Sequence, residues 1–219
     1  MADTSFRQKS INNVVKYYHE AIGVQTHLYN GPLYGPYPRP FTVGHQYFYN
    51  DSVTNGWVSY DGLEYRDIPM RYDLIRDELI IYPPNGFPLN LIKEKVDSFF
   101  MFNRGFVRLK NIRLPGSPDS IGYYERIFSS PSISFLARRE KQSQESTNRL
   151  SIETAVYSKS VYYIFKDGAY HLLRNRKSLL EILKDKKAET QQYIKTNKLR
   201  FKKFEQDVLQ TVSYYDQIK

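Results

Sequence analysis

The side chains able to carry acid–base or metal chemistry are few in this chain and scattered along it. His19, His27, His45 and His171 show neither the i, i+4 spacing that puts two imidazoles on one helix face nor an H-E-x-x-H string. The 219 residues contain no cysteine, which removes thiolate metal sites, cysteine nucleophiles and disulfides together. No metal, no cofactor and no catalytic residue is assigned from these residues. A serine nucleophile finds no G-x-S-x-G, and "PGSPDS" reads as a turn. Neither G-x-x-x-x-G-K-[ST] nor G-x-G-x-x-G occurs to cradle a phosphate.

Carboxylates are concentrated in "NGWVSYDGLEYRDIPMRYDLIRDELIIY", residues 55–82. Asp61 and the pair Asp77 and Glu78 fall at turns, while Glu64 and Asp73 fall on polar faces of strands. A glycosidase-type site needs two carboxyl groups facing each other across a cleft. Solvated acids pairing with Arg66 or Arg71 across strands are expected here instead.

Two stretches have the composition of binding surfaces. The first is the arm "YNGPLYGPYPRPFTVGHQYF", with four prolines and three glycines between Tyr29 and Gly44. Such a segment sustains neither helix nor central strand. Tyr29, Tyr34, Tyr37, Phe41, His45 and Tyr47 are its candidate ligand or partner contacts, because rings on loops bind with little side-chain entropy to lose. The alternative is that Tyr34, Tyr37 and Phe41 cover an open sheet edge. The second stretch is "NKLRFKKF", where Lys198, Arg200, Lys202 and Lys203 interleave with Leu199, Phe201 and Phe204. That mixture suits phosphates and bases, or equally a basic linker between helices. No RNP-like or helix-turn-helix signal accompanies it, so nucleic acid is not the leading partner.

The elements that must position these residues follow from period and punctuation. In "SINNVVKYYHEAIG" Ile11, Val14, Val15, Tyr18 and Ile22 recur at helical steps, with Ser10 as cap and Gly23 as stop. Asp61-Gly62 between aromatic-rich flanks predicts a hairpin, and Asn103-Arg104-Gly105, "SSP" and Lys166-Asp167-Gly168 predict three more. Pro69 fits an edge strand or a bulge. The polar run 139–151 is a long exposed loop or a strand extension. From Lys177 the period becomes helical. Ser178 and Asp185 are candidate caps, and Phe204, Val208, Val212 and Tyr215 share a face.

Twenty tyrosines and thirteen phenylalanines beside one tryptophan favour pleated surfaces, and 41% hydrophobic residues suffice for a core. The fold class expected is α+β, mainly β. A curved or partly closed antiparallel meander spans 27–175, with an N-terminal helix in 1–26 and a helical segment in 176–219, all within a single domain 1–219. A net charge of +9 permits polyanion or anionic-lipid partners without naming one. No apolar run reaches the roughly 20 residues a transmembrane helix needs.

The strings "GWVSYDGLEYRDIPMRYD", "VYYIFKDGAY" and "KSLLEILKDKKAETQQYIKTNKLRF" resemble a loosely defined group of secreted or cell-envelope proteins of the Bacteroidota that carry no assigned activity. The resemblance runs through most of the chain from Gly44 onward and is most specific between Lys177 and Phe201. It implies export to the periplasm or outer-membrane surface, after loss of a signal peptide or with a lipid anchor, and it transfers no catalytic residue. The function expected is non-enzymatic binding of a partner protein or of an apolar or glycan ligand through the curved sheet or the arm. Its alternatives are a nucleic-acid module using the basic segment and a hydrolase assembled from dispersed residues.

Overall fold

Alternating apolar residues bounded by turn residues fold into strands throughout the middle of the chain. The computed structural model describes residues 27–84, 86–109, 115, 122–147 and 152–219. The helix expected in 1–26, with His19, lies outside them, as does most of "PGSPDS". The described residues form ten strands: β1 Thr54–Tyr60, β2 Leu63–Asp73, β3 Glu78–Ile81, β4 Leu89–Asn90, β5 Val96–Met101, β6 Arg104–Leu109, β7 Gly122–Ser129, β8 Ile133–Thr147, β9 Ile152–Lys166 and β10 Ala169–Leu173. Three helices follow, α1 Arg176–Ile182, α2 Lys187–Thr196 and α3 Phe204–Ile218.

All ten strands lie in one antiparallel sheet ordered β10-β9-β8-β7-β6-β5-β1-β2-β3-β4. It is two meanders back to back, because β5 returns to the free edge of β1 instead of adding beyond β4. The sheet is open but strongly curled. Tyr72 on β2 and Tyr123 on β7 are four strand positions apart, a distance of about 19 Å in a flat sheet. Their ring centroids are nevertheless 5.6 Å apart, packed edge-on, with Phe99 against both rings and Phe106 against Tyr72 and Phe99. Just past β2, the Leu74 carbonyl accepts from the Lys141 N–H of β8 at 3.1 Å. These rings, with Met70, Leu79, Val96 and Met101, make the larger core.

The hairpins form where left-handed backbone is cheapest. Asp61 (φ 53°) and Gly62 (φ 79°) turn β1 into β2, and Asp167 (φ 51°) and Gly168 (φ 78°) turn β9 into β10. Lys166 itself ends β9. The β5–β6 turn falls earlier than its glycine suggests, on Phe102 (φ 49°) and Asn103 (φ 59°), while Gly105 pairs with Phe100 inside the ladder. Phe102 accepts this conformation with its ring packed against the core. Pro69 pairs with Asn55 beside the register shift between Gly56 and Val58, the bulge setting that suits a residue without an N–H. The polar run 139–151 is largely a strand extension: β8 and β9 pair from Ile133↔Lys166 out to Thr147↔Ile152.

Gly62 has open space where a side chain would project, so Gly62→Val meets backbone strain alone. Denaturation should show a loss of about 1 to 3 kcal/mol for Gly62→Val and under about 1 kcal/mol for Glu64→Gln, whose exposed carboxylate pairs with Arg66. A neutral Gly62→Val would contradict the turn.

The helices close the other end of the sheet. Leu179, Leu183, Val208, Val212 and Tyr215 are fully buried against Ile133, Phe135, Ile164 and Leu173. The cap of α1 is Asn175, which exchanges hydrogen bonds with Ser178 in a capping box, so Ser178 serves at the third helical position and not as the cap. Asp185 does not cap α2. It accepts from the Tyr215 hydroxyl at 2.6 Å and pairs with Lys166 at 3.1 Å. Glu125 on β7, 1% exposed, is held by Arg104 at 2.9 Å and Arg139 at 2.6 Å, and Arg139 reaches on to Glu205 of α3 at 2.7 Å.

Candidate functional site

The proline-rich arm is a strap fixed at three places. At its start Leu33 bridges Leu89, with Tyr34 N–H donating to the Pro88 carbonyl and Asn90 N–H to the Pro32 carbonyl, both at 2.8 Å. The free edge of β4 is thereby paired. At its end, Leu74 N–H donates to the Gln46 carbonyl at 2.9 Å and Phe48 N–H to the Tyr72 carbonyl at 2.8 Å. Between these points Thr42 N–H donates to the Thr154 carbonyl at 2.9 Å, and Arg39 pairs with Glu145 at 2.9 Å, joining the strap to the extended β8–β9 hairpin.

Asp73 is the pin. Alternation along β2 sends Met70 and Tyr72 into the core, as it does Leu74 just past the strand, and Asp73 faces the other way. That other face is covered by the strap, so Asp73 is fully buried and not solvated. The Tyr34 and Tyr37 hydroxyls donate to its Oδ2 at 2.9 and 2.7 Å. The Ile75 and Arg76 N–H groups donate to its Oδ1 at 2.8 and 3.0 Å. Four donors fill both oxygens, and neither Arg66 nor Arg71 is its partner. Burial, and then the Asp73 charge, hold both phenols well above the ordinary tyrosine range. Arg76 lies over the Tyr37 ring at 4.0 Å and donates to the Gly35 carbonyl at 2.8 Å, backing the strap.

Between strap and sheet lies a cleft of about 600 Å³. Tyr34, Tyr37, Phe41 and Tyr47 line it from the strap, and Arg71 and Tyr82 from the sheet. Tyr37 and Phe41 pack at 4.8 Å between centroids. The Arg71 guanidinium stands 4.7 Å from the Tyr47 ring and 5.6 Å from Tyr82, and no carboxylate is among the lining residues. Gln46 adds an amide that donates to the Tyr34 hydroxyl at 3.2 Å. The cleft thus offers ring faces, phenol hydroxyls, the Gln46 amide and two guanidinium groups, Arg71 and the Glu145-paired Arg39.

Two of the six arm candidates sit elsewhere. Tyr29 packs on the core. His45 accepts from the Tyr47 N–H at 3.2 Å and lies 3.5 Å from Lys141 Nζ, which donates to the His45 and Tyr47 carbonyls at 2.8 and 2.7 Å. Burial and the Lys141 charge lower the His45 pKa, which keeps the ring neutral at pH 7. Among the described residues no three His, Asp or Glu side chains gather as a metal site. Arg71 and Tyr82 escaped the sequence reading, which placed them within ordinary strands. A cation beside Asp73 on the same strand, after a long aromatic arm, was the signal available.

The basic segment divides. Lys198 and Arg200 line a separate cleft in the helical region, while Lys202 and Lys203 do not. Phe201 and Phe204, the candidate base-stacking rings, pack on the helical core. Neither a protein-family model, nor a curated protein, nor a solved structure matches the chain.

Proposed function

We propose that the chain is a non-enzymatic binding protein of the cell envelope that takes a glycan in the cleft between strap and sheet. The observation that carries this reading is the aromatic lining, held ready by the buried Asp73 pin before any ligand arrives. Tyrosine faces cover the apolar faces of sugar rings, and the hydroxyls, Gln46 and Arg71 serve the sugar oxygens. Preorganisation matters because a strap ordered in advance does not charge its ordering entropy to the ligand. The envelope location rests on the resemblance seen in the sequence, and the absence of cysteine suits any redox compartment.

The test is affinity electrophoresis of the full chain through gels holding a panel of neutral and acidic polysaccharides, followed by calorimetry with oligosaccharides of any that retard it. At least one should retard the chain. Tyr47→Ala and Tyr82→Ala, confirmed folded by thermal melting, should weaken that binding about tenfold or more, roughly 1.4 kcal/mol. A panel without retardation, or binding indifferent to both substitutions, would overturn the glycan reading; pull-down of a single envelope protein through the same tyrosines would replace the glycan with a protein partner.

A further inference from the structure

The cationic cleft at the end of the helical region is unexplained by the strap, and it has the makings of a second site. Its volume is about 620 Å³. Arg176 enters it from the start of α1, Gln191, Gln192 and Lys195 from α2, and Lys198 and Arg200 from the α2–α3 connection. No acid lines it. Among the described residues none of the four cations makes an ion pair, whereas nearby lysines do: Lys166 with Asp167 and Asp185, Lys186 with Glu189, and Lys219 with Asp167.

Helix-end stabilisation does not account for this gathering. Cations near the C-terminus of α2 gain from its dipole, which covers Lys195 and Lys198. The backbone there is already closed, with Leu199 N–H donating to the Ile194 carbonyl at 3.0 Å and Asn197 N–H to the Tyr193 carbonyl at 2.9 Å. Arg176 stands in the first turn of α1, which has no acid, where a positive charge opposes the dipole. Four like charges around one concavity repel within a Debye length of about 8 Å.

We infer that this cleft binds a compact polyphosphate, the phosphate chain of a nucleoside triphosphate or of inorganic polyphosphate. Several negative charges a few ångströms apart match two guanidinium forks and two ammonium groups in one concavity, and the Gln191 and Gln192 amides supply further polar groups. A nucleic-acid polymer fits less well, since Phe201 and Phe204 are committed to the core and no aromatic residue is among the lining.

Calorimetric titration of the full chain at low salt with tripolyphosphate and with ATP tests the inference. Both should bind, weakening as salt rises. Equal affinities would place recognition in the phosphate chain alone, and tighter ATP would extend the site to the nucleoside; either supports the site. Lys195→Glu with Arg200→Glu should cut binding by about tenfold or more. Lys202→Glu with Lys203→Glu makes the same charge change outside the cleft and should leave binding within about twofold. If the first pair does not fold, Lys195→Gln with Lys198→Gln takes its place. Absence of binding by either probe, equal losses in both pairs, or an oligothymidylate that binds more tightly than tripolyphosphate would each overturn the site.

Discussion

Asp73→Ala should cost about 3 to 4 kcal/mol in urea or thermal denaturation, and it should release the strap while the sheet beneath stays folded. The carboxylate is fully buried and takes two phenols and two backbone N–H groups. Hydrogen bonds to a charged group contribute about 1.5 to 3 kcal/mol each, and donors left unpaired in a buried site add their own desolvation cost. The gross loss is offset in part because the Tyr34 and Tyr37 hydroxyls, once the strap lifts, regain water. Asp73→Asn keeps one acceptor but turns an amide N–H₂ toward donors, and should lose about half as much. Glu64→Gln, at the opposite end of the same strand, should stay under about 1 kcal/mol. An Asp73→Ala protein with parental stability would remove the pin from the account.

Deletion of residues 176–219 should leave a chain that is insoluble or melts without cooperativity. Leu179, Leu183, Val208, Val212 and Tyr215 are each fully buried, and burying such a side chain is worth about 1.5 to 3 kcal/mol. Five of them together reach the 5 to 15 kcal/mol that typically holds a domain folded. The deletion also strips the cover from Ile133, Phe135, Ile164 and Leu173 and takes Glu205 from Arg139 and Asp185 from Lys166. A truncated chain that melts cooperatively at the parental temperature would show the helices to be an appendage.

Local rules were legible in the chain where one or two residues decide the outcome. Asp61-Gly62 and Asp167-Gly168 announce their turns because glycine accepts positive φ freely, and the apolar face of α3 announces itself by helical spacing. What stayed hidden was non-local. Nothing in β1 or β5 marks them as partners, and Phe102 turns against its own propensity because core packing holds it. Asp73 and Glu125 were unreadable as buried groups for the same reason. Strand alternation says which face a residue takes, but not that a strap beginning about forty residues earlier covers the face opposite the core at Asp73, or that a helix eighty residues later reaches the Glu125 network on the core's own face. The arm candidates could be named from composition, while Arg71 and Tyr82 join them only through the curl and the strap.

Hydrogen–deuterium exchange of the full chain and of Asp73→Asn tests the pinned strap most directly. In the parent the Tyr34, Thr42 and Phe48 amides, bonded to Pro88, Thr154 and Tyr72, should exchange slowly. In Asp73→Asn, exchange should accelerate across 32–48 while β5 to β7 keep their protection. Equal protection of the strap in both proteins, or a strap already unprotected in the parent, would contradict a cleft held ready by Asp73.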